Sequence, residues 1–183
     1  MAVNAKSMIA DAFIKLSGEK NIDKITVKDI VDECGISRQS FYYHFQDILE
    51  VVEWSAEQAF QKLLEKNMAA DDSEAVFHDF IVASENANVL LHKLLHSQKR
   101  EDIERIMVRS IRTYLQELMT RRGRRMALPY EDMDIALNFC TYGIVGLLLE
   151  SCEKKDFDRE KLAKQMHRLL TGRMEEKENE KAW

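Results

Sequence analysis

Thr26-Val27-Lys28-Asp29-Ile30-Val31-Asp32-Glu33-Cys34-Gly35-Ile36-Ser37-Arg38-Gln39-Ser40-Phe41-Tyr42-Tyr43-His44-Phe45 is the stretch that decides how the rest of the chain is read. Thr26-x-x-Asp29 has the form of a capping box, and Val27, Ile30, Val31 and Cys34 fall on one face behind it. Gly35 breaks this helix after about two turns and permits a positive φ in the turn that follows. Ser37 is placed to cap a second helix. Phe41 and Phe45, four residues apart in it, face the same side. Two short helices joined by a tight glycine turn form a helix-turn-helix arrangement.

The two sides of this unit have different chemistry. Val27, Ile30, Val31, Phe41 and Phe45 are expected to bury against a preceding helix. Arg38, Gln39, Ser40, Tyr42, Tyr43 and His44 are then expected to point outward. A helical hairpin with an aromatic core explains the two phenylalanines equally well, but not the opposite face. Arg and Gln form bidentate bonds to base edges, and Tyr, His and Ser reach phosphates, so the outward face suits a major groove. The candidate DNA-binding residues are Thr26, Lys28, Ser37, Arg38, Gln39, Ser40, Tyr42, Tyr43 and His44.

Outward from this stretch the pattern stays helical. Ile9, Ala12, Phe13 and Leu16 recur at helical spacing over residues 4–18, with Gly18 expected to stop the helix. Asp47-x-x-Glu50 starts another helix, reaching to about residue 68. Residues 73–96 read as one helix, with a break expected near Asn86 and Asn88, which are poor helix formers. Ser97 opens the next. Gly123 ends it, Pro129 precedes an apolar helix over 130–153, and residues 159–171 read as a last amphipathic one. Only 6 Gly and 1 Pro stand among 183 residues, too few breakers for a turn-rich sandwich or barrel. The expected fold is all-α with about nine helices.

Charge adds a constraint. Lys+Arg total 27 against Asp+Glu 32, a net of −5, so overall charge gives no support for nucleic-acid binding. Residues 1–50 hold six cations (Lys6, Lys15, Lys20, Lys24, Lys28, Arg38) and eight acids, a net of −2. Few phosphate contacts per subunit are expected, with a strong reliance on dimerisation and base readout. Cys34, Cys140 and Cys152 are odd in number, widely spaced and without a CxxC pair, as expected of a chain in a reducing compartment. The N-terminus lacks the apolar core of a signal peptide, and the uncharged run Ile135–Leu149 is short for a bilayer span. A cytoplasmic protein without membrane contact is expected.

The sequence resembles the TetR family of transcriptional regulators over roughly residues 4–55. The likeness is carried by Thr26-Val27, Ile30, Gly35-Ile36-Ser37 and Phe41-Tyr42-Tyr43-His44-Phe45, preceded by the helix Ile9–Leu16. Phe-Tyr-Tyr-His-Phe-Gln-Asp-Ile further resembles a branch that includes activators of dihydroxyacetone-kinase operons. The resemblance implies a helix-turn-helix DNA-binding domain over residues 1–46 and a helical sensor and dimerisation domain over 47–183. In that division residues 47–68 form the connecting helix. It also implies a homodimer on a palindromic double-stranded operator, commonly a repressor, that answers to a small-molecule effector. An activator working with a protein coactivator is the alternative. The sequence departs from the family at the start of the connecting helix, where a frequent Lys is replaced by Ile48 behind Asp47.

Other features of the sequence admit simpler accounts. His92-x-x-x-His96 places two imidazoles on one helical face, which could hold a metal in a helical metalloprotein or enzyme. No Glu follows His92, so the metalloprotease pattern is absent, and surface histidines are the simpler reading. No nucleophile–base–orienter set and no Gly-rich phosphate loop occurs, so no enzyme, catalytic residue, metal or cofactor is expected. The Arg121–Arg125 cluster reads as a solvated helix end. Phe77, Phe80, Ile81, Met107, Ile111, Tyr114, Phe139 and Tyr142 are candidate linings of an effector pocket. The helix over 130–153 is apolar around most of its circumference and must be internal or covered by a partner. Gly143, Gly146, Leu147, Leu162, Met166 and Leu169 are the candidate dimer interface, in a four-helix bundle built from two helices of each subunit.

Overall fold

The computed structural model describes residues 5–68, 73–121 and 130–153, together with Lys161, Leu162, Lys164, Gln165 and Arg168. Seven α-helices follow one another: α1 (Ala5–Glu19), α2 (Val27–Cys34), α3 (Arg38–His44), α4 (Ile48–Met68), α5 (Ser73–Leu95), α6 (Arg100–Arg121) and α7 (Tyr130–Glu153). A 3-10 turn, Ile22–Lys24, sits between α1 and α2, so eight helices occur among the described residues against the nine or so expected. The helix expected over 159–171 falls mostly outside the described residues, as do Arg122–Arg125 and Pro129.

The head, α1 to α3, is built around α1. Ile9, Phe13, Ile30, Phe41 and Phe45 are all buried nearly completely, which places α2 and α3 against the apolar face of α1. The core does not end there. It continues through Val51, Leu63 and Leu64 of α4 into Phe80, Ile103, Ile111 and Tyr114, so head and body share one hydrophobic cluster. In the body, α4 lies along α6 and α5, and α6 lies along α7.

Two local expectations fail for identifiable reasons. The α1 helix runs past Gly18 to Glu19, and its last carbonyls are received by Lys93 of α5. A tertiary partner thus supplies what a helix end ordinarily takes from water. The α5 helix is continuous across Asn86 and Asn88, and the Asn88 side-chain oxygen accepts from the Cys152 thiol on α7 at 3.4 Å. Packing overrides a weak propensity.

Over Asp132–Glu153, α7 is long and apolar enough to cross a membrane by length and composition alone, contrary to the estimate from the uncharged run. Its packing is that of a core helix on one side. Leu137, Thr141, Ile144, Val145, Leu148 and Ser151 form a buried stripe at helical spacing against α5 and α6. Thr141 and Ser151 direct their hydroxyls to Leu137 and Leu148 carbonyls of the same helix, which satisfies them without a partner element.

Candidate nucleic-acid interface

The helix-turn-helix is fixed by its caps. The Thr26 hydroxyl accepts from the Asp29 amide at 3.2 Å, and the Asp29 carboxylate accepts from the Thr26 amide at 2.9 Å, closing the capping box. The Thr26 hydroxyl proton goes to the same carboxylate. Lys20 reaches it as well, at 2.7 Å. Lys20 and Thr26 together hold the Asp29 carboxyl well below the usual carboxylate range. Gly35 then takes φ 67°, the left-handed conformation expected of it, and its amide returns to the Val31 carbonyl. Ser37 caps α3, its hydroxyl oxygen accepting from the Ser40 amide at 3.1 Å. Asp47 caps α4 through the Glu50 amide, and Glu50 answers by accepting from the Gln46 amide. Asp47 and Glu50 therefore hold the start of α4.

With Phe41 and Phe45 turned inward, α3 presents its other face to solvent. Arg38 and Gln39 are exposed, Tyr42 is 57% exposed and Tyr43 82% exposed. Positions 38, 39, 42 and 43 form one helical face, since residues four apart stack. Thr26, Lys28 and Ser37 are exposed beside it. Ser40 and His44 are half-buried rather than outward: Ser40 belongs to the cap, and His44 meets the Tyr43 ring edge-on with centroids 4.9 Å apart. The Lys6 ammonium stands 5.0 Å from the Phe45 ring centre at the far end of α3. Of the six cations of residues 1–50, Lys15 pairs with Glu33 and Lys20 with Asp29. The positive charge beside the exposed face comes from Arg38 and Lys28.

In the body, Phe80, Ile81, Met107, Ile111 and Tyr114 are all buried in one cluster. Phe60, unremarked in the sequence, joins them: its ring lies 6.2 Å from Phe80 and 5.4 Å from Tyr114. Asn67, also missed, is completely buried and donates to the Tyr114 hydroxyl at 3.0 Å. The Phe77 side chain lies outside the described residues. Phe139 and Tyr142 do not join this cluster. They are 77% and 64% exposed and lie on the outer face of α7 with Ile135, 68% exposed.

That outer face also carries Gly143 and Gly146, both exposed. Among the described residues nothing outside the helix's own backbone lies within 4 Å of where a Cβ would stand on either. Leu147 is half-buried at its edge, whereas Leu162 is buried in the intrachain core. Met166 and Leu169 lie outside the described residues. His92 and His96 stack with centroids 4.1 Å apart, and the Nδ1–H of His96 donates to the His92 carbonyl at 2.8 Å. Among the described residues no group of three or more His, Cys, Asp or Glu is placed to hold a metal ion.

The family and the fold have counterparts among known proteins. The family model of bacterial regulatory proteins of the tetR family matches residues 9–53, and that of a transcriptional regulator C-terminal region matches residues 71–172. Among solved structures, the chain is similar to the dihydroxyacetone kinase operon activator DhaS, with 20% identity and a TM-score of 0.65 over 92% of this chain and 94% of that one. A Listeria innocua protein shares 16% identity and a TM-score of 0.70 over 94% of each chain. The TetR family repressor AlkX of Dietzia sp. shares 13% identity and a TM-score of 0.57 over 91% of this chain and 95% of that one. At these identities the likeness is one of fold.

Proposed function

Since the chain belongs to the TetR family of bacterial transcriptional regulators, we propose that it works in the cytoplasm as a homodimeric, effector-responsive repressor that reads a palindromic operator. It does so without catalysis. The observation that carries this reading is the exposed face Arg38, Gln39, Tyr42 and Tyr43 on a helix whose start, turn and inner face are all fixed by the fold. Rigid presentation of such side chains is what sequence readout requires. Arg38 and Gln39 are assigned to base edges. Tyr42, Tyr43, Lys28 and Ser37 are assigned to phosphates, with Thr26, Ser40 and His44 supporting the two helix ends.

A three-helix head that carries a net charge of −2 over residues 1–50 binds weakly alone. Two heads about one helical turn apart, roughly 34 Å, add their contacts on a palindrome. The outer face of α7, with Ile135, Phe139, Tyr142, Gly143 and Gly146, supports the dimer: apolar side chains of this size are costly to leave in water, and glycines allow close helix approach. The effector is assigned to the buried cluster of Phe80, Ile81, Met107, Ile111 and Tyr114, which lies between the helices that carry the head and the one that carries the dimer face. It acts by binding more tightly to one head spacing than to the other.

The fold serves both signs of control, since DhaS is an activator and AlkX a repressor. Repression is assigned because occupancy of an operator needs no further partner, whereas activation needs a coactivator to dock on the body. The test is selection of bound duplexes from a random pool with wild type and Arg38→Ala in parallel, at fixed moderate salt. A palindrome that blurs in the variant is expected. Transcription in vitro from a promoter overlapping that palindrome then reads the sign. A selection that enriches nothing, or a single half-site, rejects the dimeric reading.

A further inference from the structure

We infer that His92 and His96, at the end of α5, form an exchangeable site for one divalent metal ion of the zinc and nickel class. The two residues are four apart on one helical face, with ring centroids 4.1 Å apart and planes 21° from parallel. Both side chains are exposed, so an ion reaches them from solvent. The His96 backbone amide donates to the His92 carbonyl at 3.1 Å, which carries the helical turn past Leu95 and keeps the pair in register. The site uses no residue of the reading face and none of the buried cluster assigned to the effector, so it goes beyond the regulatory reading above.

The contact that organises the pair also sets which nitrogen is offered. The Nδ1 of His96 stands 2.8 Å from the His92 carbonyl oxygen, which can only accept, so Nδ1 carries the proton and donates. In a neutral imidazole Nε2 then holds the lone pair. Donation from one ring nitrogen to a backbone carbonyl is the contact that fixes the tautomer and ring orientation of metal-ligating histidines. The χ2 torsion of histidine is broad, so the exposed His92 ring turns a nitrogen toward the same ion at small cost. One ion bonded to two imidazoles at about 2.0–2.1 Å holds their nitrogens roughly 3 Å apart, a spacing within reach of rings already in contact. Electrostatics favours a cation here, because the last turn of α5 presents the negative end of its helix dipole. The adjacent cation, Lys93, has its ammonium engaged by the Ser17 and Gly18 carbonyls. Imidazole suits zinc, nickel and copper, whereas magnesium and calcium take oxygen ligands. Two protein ligands rather than three or more leave the remaining positions to water, so the ion exchanges and does not hold the fold together.

The test uses full-length protein freed of metal with a chelator, and zinc chloride as the probe. Calorimetry should show one zinc ion bound per chain. His92→Ala and His96→Ala should each weaken binding by roughly tenfold or more, because a single imidazole loses a second ligand held at high effective concentration. His78→Ala, at an exposed histidine elsewhere on α5, should leave it unchanged. Nickel chloride added to wild type in small steps should broaden the ring-proton NMR signals of His92 and His96 before those of the other histidines. That measurement reads the site without a substitution if a variant fails to fold. Zinc affinity that survives in both His92→Ala and His96→Ala, or that falls equally in His78→Ala, overturns the site. Nickel that broadens another histidine first overturns it, and so does wild type that binds no zinc. The selection of bound duplexes reads the regulatory function separately and is untouched by any of these results.

Discussion

The Phe45 ring meets the Trp54 indole edge to face, with centroids 6.0 Å apart. Phe45 closes α3 and Trp54 lies in the second turn of α4, so the contact bridges the point where the reading helix hands over to the linker. Phe45 is almost fully buried and also lies against Phe41, 6.1 Å away. A T-shaped aromatic pair contributes about 0.5–1.5 kcal/mol beyond the area it buries. Its consequence here is mechanical: rotation of α4 moves α3 with it rather than sliding beneath it.

Truncation at this joint should be severe. Phe45→Ala removes a ring from a close-packed site shared by α1, α3 and α4 and should cost about 3–5 kcal/mol of stability. Urea unfolding followed by circular dichroism measures it, and duplex binding should fall in the same variant. A loss below about 1 kcal/mol, the range of a tolerated surface change, would mean that the joint is loosely packed.

The reading face separates into two kinds of side chain that behave differently on deletion. Arg38→Ala should cost about 1–3 kcal/mol on the selected operator and relax the sequence preference at one position of each half-site. Tyr42→Phe should weaken all duplexes alike and leave the ranking of sequences unchanged. Fluorescence anisotropy with the operator and two single-base variants distinguishes the two outcomes. If Tyr42→Phe alters the ranking, the tyrosine reads a base and the assignment reverses.

Acid should loosen the start of α2 before other parts of the head. The folded Asp29 carboxyl is held well below its ordinary value by Lys20 and Thr26, so folding favours the ionised form. The stabilisation is fully present above the unfolded value near pH 4, and it is lost as the pH falls from there through the folded value. Asp29→Asn removes the charge and with it this dependence. Between roughly pH 5 and pH 3 the melting temperature of wild type should therefore fall more steeply than that of Asp29→Asn. Parallel slopes would show that Lys20 does not hold Asp29 in solution.

What could be read from the residues, and what could not, divides along the range of the interactions. The head was legible because its signals are local: a cap and its partner three residues on, a glycine where φ must be positive, two phenylalanines four apart. Ser37 and Gly35 perform in the structure the roles their chemistry predicts. Long-range choices were not legible. Asn67 reads as an ordinary polar residue near a helix end, yet it is buried because Tyr114, forty-seven residues away, meets its side chain. Lys93 reads as a solvated charge, yet it closes α1. Phe139 and Tyr142 were grouped with the pocket because they are apolar or aromatic, and hydrophobicity does not say which side of an all-round apolar helix faces its own chain.

That last distinction supports a sharp prediction. Ile135, Phe139 and Tyr142 lie on the side of α7 opposite the buried stripe of Leu137, Thr141, Ile144 and Leu148. Phe139→Glu therefore places a charge where the single chain has no core to disturb, and the subunit should stay folded, within about 0.5 kcal/mol of wild type. In a dimer joined through this face the same carboxylate is buried against its own copy, so association should be lost. Sedimentation velocity should show a shift from twice the 21.4 kDa chain mass to the chain mass itself, with circular dichroism unchanged and operator binding reduced to that of one head. Leu148→Glu, on the inner side, should instead unfold the chain. If Phe139→Glu sediments as wild type does, the face that joins two subunits lies elsewhere, and the exposed aromatic side chains of α7 serve another partner.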